Sequence, residues 1–117
     1  MVFSNSGKNV IRDWMAGEDP DYPTYIGWGT DNTTPNSADT SLINESGRFA
    51  FNSVSVATQE VTYDQVVGLT QLDGEALKEI GLFNASSDGE MFQRSTFVNI
   101  DKDTSIEIQA LIKVRIK

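Results

Sequence analysis

Residues 105–117 read SIEIQALIKVRIK and contain the clearest structural signal in the chain. Every second side chain is apolar, which is the period of a β-strand whose two faces differ. The apolar face carries Ile106, Ile108, Ala110, Ile112, Val114 and Ile116. The other face carries Glu107, Gln109, Lys113 and Arg115, with Leu111 as its single apolar residue. We therefore predict a long strand at the surface of a sheet, with its apolar face on the core.

Further strand candidates precede this one, and short turn sequences separate them. Asp88 and Gly89 form a tight-turn dipeptide that joins two of the candidates in a predicted β-hairpin. The candidates are TYIGWGT (24–30), RFAFNSVSVA (48–57), QEVTYDQVVGL (59–69), ALKEIGLFN (76–84) and EMFQRSTFV (90–98). Six strands at this spacing predict an all-β fold, either a β-sandwich or a jelly-roll-like domain.

The candidate at 48–57 alternates in two phases. Its phenylalanines and its valines have opposite parity: Phe49 and Phe51 against Val54 and Val56. A regular strand cannot turn all four side chains inward, so we predict a β-bulge near Asn52 and Ser53.

Residues 6–17 read SGKNVIRDWMAG and predict a short amphipathic helix before the strands. Asn5 or Ser6 is the predicted N-cap and Gly17 the predicted stop, and the prolines of EDPDYP (18–23) prevent continuation. A helix this short is stable only when it packs on another surface. Its apolar face carries Val10, Ile11, Trp14 and Met15.

The length and two missing residue types limit the possible functions. The chain has 117 residues, which fits one domain spanning 1–117, and it contains no cysteine and no histidine. Disulfides, thiolate metal sites and cysteine nucleophiles are therefore excluded, as are the commonest general base and metal ligand. The carboxylates fall mainly in predicted turns, and no pair stands out as catalytic. We expect no enzymatic activity and no cofactor.

The charge of the chain is acidic and unevenly distributed. The net charge of −8 disfavours nucleic-acid binding, because phosphate contacts need Lys and Arg. The final strand is the basic exception, with Lys113, Arg115 and Lys117. These charges either orient neighbouring copies or simply form the solvent face of a strand, and we favour the second interpretation.

The sequence gives no sign of a membrane protein or of secretion. No apolar run approaches the roughly 18–20 residues that cross a bilayer. Residues 1–8 lack the apolar region of a signal peptide, so we expect the chain to fold in the cytosol.

Two short motifs look like ligand sites but are better explained otherwise. Asp101, Lys102 and Asp103 resemble half of a calcium loop, yet the later glycine and the bidentate glutamate are absent, so we expect a polar turn and no metal. GWG at 27–29 lacks the following Lys-Ser/Thr of a phosphate-binding loop.

Large aromatic side chains concentrate in the first quarter of the chain. Because Trp and Tyr are enriched at interfaces, a subunit contact is as well supported as a place in the core, and sugar binding ranks below both. Together with the helix face, they define a predicted subunit interface of Val10, Ile11, Trp14, Met15, Tyr22, Tyr25 and Trp28.

Several segments in this order resemble a known group of proteins. They are MAG (15–17), IGWGT (26–30), TTP (33–35), ADTSL (38–42), LKEIGLFN (77–84) and GEMFQRSTF (89–97), followed by the alternating C-terminal strand. The arrangement is similar to small virion proteins encoded in the structural-gene modules of tailed phages, related archaeal viruses and prophages. The most specific part is EIGLF (79–83) with RSTF (94–97).

The resemblance implies a function without catalytic residues. It predicts a virion structural protein, made in the host cytoplasm, whose partners are other virion proteins and copies of itself. Its place on the particle stays open between tail, head decoration and fibre attachment. The alternative is a carbohydrate-binding β-sandwich module that recognises a host-surface glycan through Tyr22, Tyr25 and Trp28.

Overall fold

The computed structural model describes residues 2–18 and 22–116, whose strands form two antiparallel sheets with a short N-terminal helix. This confirms the predicted all-β, sandwich-like fold. In chain order the elements are β1 (Val2–Phe3), α1 (Asn5–Met15), β2 (Tyr25–Gly29), β3 (Glu45–Ala50), β4 (Ser53–Ala57), β5 (Glu60–Val67), β6 (Ala76–Phe83), β7 (Met91–Asp101) and β8 (Ile108–Arg115).

The core lies between a large sheet and a small sheet. The large sheet has the strand order β1-β7-β6-β2-β3, and the small sheet has the order β4-β5-β8. The inner faces bury alternate apolar side chains, because period-2 strands turn one face to the other sheet. The large sheet contributes Ile26, Trp28, Ile80, Leu82 and Phe92, and the small sheet contributes Tyr63, Val67 and Ile112.

The alternating C-terminal segment forms strand β8 with its apolar face on the core, as predicted, and it lies at one edge of the small sheet. Ile112 is buried and Val114 half-buried, whereas Leu111 and Lys113 on the other face are exposed. The strand is shorter than the pattern, since Ile116 follows its end and is exposed. Lys117 lies outside the described residues.

The prediction of one bulged strand at 48–57 is wrong. The segment forms two strands, β3 in the large sheet and β4 in the small sheet, and the chain changes sheets at Phe51 and Asn52. Phe49 pairs with the inward-facing Ile26, and Val54 pairs with the inward-facing Tyr63. The change of parity therefore turns both halves toward the same interior, which a single strand cannot do.

The predicted helix is present, but it begins earlier than expected. The N-cap is Ser4, not Asn5 or Ser6, and its hydroxyl accepts a hydrogen bond from the Gly7 N–H at 2.9 Å. Ser4 is buried, and its hydroxyl also donates to the Met91 carbonyl on β7. Gly17 has a φ of 77° directly after the helix, so its predicted role as the stop is confirmed.

The predicted hairpin is also confirmed. β6 and β7 pair antiparallel, and residues 84–90 connect them. Asp88 and Gly89 both have positive φ angles, 52° and 69°, which is the conformation that Asp-Gly dipeptides favour in such turns. The strand β1 was not predicted, because two residues are too few to show a period.

Candidate functional site

The outer face of the large sheet is covered by the long connection between β2 and β3, residues 30–44. Leu42 is buried there beside Phe83. Gly27 and Gly81 are paired neighbours on β2 and β6 beneath it. A Cβ at Gly81 would lie 3.0 Å from the Leu42 side chain, and one at Gly27 would lie 2.8 Å from the Phe83 ring. The two glycines therefore provide the space into which the connection packs.

A buried ion pair holds the same connection, and we call it the Arg94–Glu79 anchor. Arg94 Nε donates to Glu79 Oε1 at 2.8 Å, and the two side chains are 1% and 0% exposed. Arg94 also donates to the Thr33 carbonyl at 2.8 Å. Glu79 accepts hydrogen bonds from the backbone N–H groups of Asp31, Ile43 and Asn44, at 3.2, 3.0 and 2.9 Å. Both charges are thus used to fix the connection at its two ends.

Asp31, at the start of this connection, has a pKa that its neighbours lower. The Thr33 hydroxyl and the Thr33 backbone N–H, at 2.7 Å, hold the pKa of Asp31 below its usual value, and Arg94 adds a smaller contribution. A lowered folded-state pKa stabilises the fold above the unfolded-state pKa, and that contribution is lost as the pH falls through the folded-state pKa.

We expect an NMR titration to place the Asp31 midpoint below about 3.9, the ordinary value for aspartate. Thr33→Val should raise this midpoint because it removes the hydroxyl donor. Thr34→Val is the matched control and should leave it unchanged. An Asp31 midpoint that is the same in all three proteins would contradict the assignment.

The calcium-like segment at 101–103 contains a second buried charge instead. Lys102 is 2% exposed, and its Nζ donates to Asp73 Oδ1 at 2.8 Å and to the Asp103 carbonyl at 2.9 Å. The Ser105 hydroxyl, and after it the Ser105 N–H at 2.7 Å, donate to the Asp103 carboxylate and lower the pKa of Asp103. The segment is therefore a polar turn, as predicted, with a lysine that ties two loops together.

Much of the predicted subunit interface on the helix is covered by this chain itself. Val10 is 7% exposed, and Trp14 stacks on Phe92 with ring centroids 6.1 Å apart. Ile11 and Trp14 lie beside residues of the small sheet such as Val61 and Val114. The helix covers one end of the sandwich, so Val10 is a core residue rather than a contact. Met15 at 87% exposed is the helix residue left for a partner.

The aromatic residues after the helix separate into different environments. Trp28 is 2% exposed, packs edge-on against Phe97, and donates from Nε1 to Gln65 Oε1 at 2.7 Å. The prediction that Trp28 belongs to the subunit interface is wrong, because β2 turns this side chain into the core. Tyr25 is half-buried on the outer face, and Tyr22 is 63% exposed. The structure therefore does not bring these three rings together on one open surface.

A polar cleft of about 470 Å³ lies beside the β6–β7 turn. Arg48 crosses it, with its guanidinium carbon 3.5 Å from the centre of the Phe83 ring. The same guanidinium binds Glu45 at 2.8 and 3.0 Å and the carbonyls of Ala85 and Asp88 at 2.9 Å. Because these partners occupy most of the guanidinium, the other polar groups that line the cleft are serine and threonine hydroxyls and the Asp88 carboxylate.

An apolar groove of about 500 Å³ runs between β7 and β8, where the two sheets are open to solvent. Gln93 is one of the residues that line this groove, but its side chain is fully buried. Its Nε2 has no hydrogen-bond partner within the described part of the chain. Val98 and Leu111 line the groove and are 89% and 55% exposed. The main apolar lining is formed by Trp28, Ile80, Phe97, Ile100, Ile108 and Ile112.

The small sheet ends in two strands, β4 and β8, that pair on one side only within the described residues. Val54 and Val56 on β4 pair with Tyr63 and Val61, so they share the inner face, yet they are 52% and 83% exposed. Unpaired strand edges with exposed apolar side chains are the surface type that adds a further strand.

Comparison with protein-family models, with curated proteins and with solved structures gives no match. Across residues 2–18 and 22–116, no helix is long and apolar enough to cross a membrane. In the same residues, no three acidic side chains are grouped in a way that could hold a metal ion.

Sequence reasoning missed the buried polar residues. Gln65 was detectable, because it interrupts the inward-facing row of Tyr63 and Val67 on β5. Glu79 gave no such signal, since it precedes the inward-facing Ile80 as a solvent-facing residue would. Arg94 gave none because it lies in the polar run QRST (93–96), which shows no alternation. Only the cover formed by residues 30–44 buries them.

Proposed function

We propose that this chain is a non-enzymatic structural protein of a tailed-virus particle, where it assembles with copies of itself on the tail, as a head decoration or at a fibre attachment. The observation that carries the proposal is the pair of open edges of the small sheet, beside exposed valines on β4 and an apolar groove at β8. Such edges are a liability in an isolated molecule and a means of contact in an assembly.

The segments behind the virion resemblance have a structural role in this fold. EIGLF and RSTF contain Glu79, Gly81, Phe83 and Arg94, which are the residues that fix the connection over the outer sheet. An outer surface whose covering connection is held by buried contacts suits a protein that is a building block. The residues that carry the resemblance thus serve the fold, which is consistent with a structural role.

The internal pairing of charges also supports a non-catalytic role. The buried Arg94 and Lys102 are each bound to a carboxylate, and Arg48 is bound to Glu45. A catalytic acid or base needs a polar group that is free to meet a substrate in a cleft. Charged side chains that bind each other and backbone carbonyls serve the fold instead.

The carbohydrate-binding alternative is weaker. Of its three aromatics, Trp28 is buried, Tyr25 is half-buried against the Leu42–Phe83 cluster, and Tyr22 is exposed beside Trp14 of the helix. A stacking platform for a sugar needs exposed ring faces that lie side by side, and these rings do not provide one.

The proposal predicts that the protein copurifies with virus particles. Mass spectrometry of gradient-purified particles should detect the chain, and immunogold labelling should show repeated binding at one position on the head or tail. A soluble, non-virion protein of the same genome serves as the control for carry-over. Recovery of the chain only in the soluble fraction of the lysate, with none in intact particles, would refute the virion role.

A further inference from the structure

The free edge of β8 presents a defined set of backbone groups. The Asn52 N–H donates to the Asp64 carbonyl at 2.7 Å, so Asp64 directs its backbone polar groups toward β4. Asp64 pairs with Leu111 across β5 and β8. Because Asp64 bonds toward β4, Asp64 and Leu111 form a non-hydrogen-bonded pair, in which the two residues point their N–H and C=O groups away from each other. Leu111 therefore directs both groups to the free edge.

The neighbouring residues follow the same alternation. The Ile116 N–H donates to the Gln59 carbonyl at 2.7 Å, toward β5, which places the even-numbered residues of this strand on the β5 side. Gln109, Lys113 and Arg115 have the parity of Leu111, so they also present backbone donors and acceptors to the edge. An antiparallel strand laid against this edge would satisfy them.

We propose that β8 pairs antiparallel with β8 of a second copy of this chain, about a two-fold axis at Leu111. The inference deepens the self-assembly that the proposed function includes. Leu111 lies opposite Leu111 of the second copy, which covers the one apolar side chain, 55% exposed, on the polar face of the strand. A two-fold contact uses the same patch on both copies and therefore closes.

The charges on the outer face support this register. About a centre at Leu111, Lys113 lies opposite Gln109 of the second copy, and Arg115 lies opposite Glu107. Arg115 is 59% exposed, and its Nε lies 3.9 Å from Glu60 Oε2 of its own chain, so a second carboxylate has room to approach the guanidinium. Opposite charges directly across an antiparallel pair stabilise it, and like charges destabilise it. A centre at Lys113 would place two lysines opposite each other.

The inner face supports the same pairing. Ile108 would lie opposite Val114 of the second copy, and Ala110 opposite Ile112, so the apolar rows of both strands continue across the junction. The two small sheets would become one six-stranded sheet, and the added strand would run along the mouth of the apolar groove between β7 and β8. In the dimer the second copy would therefore shield the apolar groove that is open to solvent in a single copy.

The test uses the lack of cysteine in the chain. In the proposed register the two Leu111 Cα atoms lie about 5.5 Å apart, within the roughly 4.4–6.8 Å that a disulfide spans. Leu111→Cys should form a covalent dimer under mild oxidation. Gln109→Cys alone and Lys113→Cys alone should not, because each residue lies roughly 13 Å along the strand from its own copy. A mixture of these two variants should crosslink as a heterodimer.

Sedimentation provides a second readout in the cysteine-free protein. Leu111→Lys should raise the dimer dissociation constant at least about tenfold, because two ammonium groups then lie opposite each other. Met15→Lys and Val56→Lys are matched controls on the helix and on β4, and neither should weaken the dimer.

Three results would overturn the inference. They are the absence of a Leu111→Cys dimer, equal crosslinking of Gln109→Cys alone, and loss of self-association in Met15→Lys or Val56→Lys with Leu111→Lys unaffected. The virion role is judged separately by particle composition. A chain found in particles that does not crosslink at Leu111 contradicts the inference alone, and a crosslinked dimer absent from particles contradicts the virion role alone.

Discussion

Glu79→Ala is expected to lower the free energy of unfolding by about 3–5 kcal/mol, the usual effect of removing one partner of a buried ion pair. The substitution leaves the guanidinium of Arg94, 1% exposed, without its carboxylate. It also removes the acceptor of three backbone N–H groups in the connection. Urea unfolding measures the loss of stability, and amide hydrogen exchange should show lost protection at Ile43 and Asn44.

The matched control for this prediction is Glu90→Ala, which removes an exposed carboxylate from the same hairpin and should change stability by less than about 0.5 kcal/mol. The double variant Glu79→Ala with Arg94→Ala should cost clearly less than the sum of the two single variants, since each already breaks the same pair. Additive losses would show that the two side chains do not act as a unit.

Trp28→Ala is expected to destabilise the protein by about 3–5 kcal/mol, because it empties a large site between the two sheets. The indole is 2% exposed, packs on Phe97 and is hydrogen-bonded to Gln65. Removal of the indole also leaves the side-chain amide oxygen of Gln65 without the Trp28 donor. Denaturant unfolding followed by far-UV circular dichroism measures the effect.

This variant also separates the two interpretations of the aromatic cluster. A sugar-binding role for Trp28 requires a folded protein that has lost only its ligand, whereas a core role requires a loss of stability. Tyr22→Ala is the control, since the ring is 63% exposed and its removal should leave stability almost unchanged. A Trp28→Ala protein as stable as the parent would contradict the core role.

The sequence predicted the elements whose patterns are local and regular. The alternation in 105–117 identified β8, and the Asp88-Gly89 dipeptide identified the hairpin of β6 and β7. The amphipathic pattern identified the helix to within a few residues. Each signal belongs to one segment and depends only on its own backbone period.

The sequence did not predict where the chain changes sheets. The parity shift in 48–57 indicates an interruption, but a bulge within one sheet and a crossing between two sheets produce the same pattern of side chains. The crossing at Phe51 and Asn52 is decided by β2 and β5, which pair with the two halves from opposite sides of the core.

The candidate surfaces were predicted only in part. The proposed contact through the first thirty residues stays a prediction for Met15 and Tyr22, which are exposed, and it fails for Val10 and Trp28, which are buried. The helix pattern identified an apolar face correctly, but it could not identify the surface that would cover that face. In this chain it is covered by Phe92 and its neighbours.

The sequence by itself determined the β-rich composition of elements, the two faces of β8, the turn at Asp88 and Gly89, and the absence of cysteine and histidine chemistry. Only the tertiary structure decided which polar residues are buried. Glu79 and Arg94 lie on the outer face of their strands, opposite to the face that carries the core residues Ile80 and Leu82. Residues 30–44 cover that face, and burial depends on what a distant part of the chain places above a residue, which no local period records.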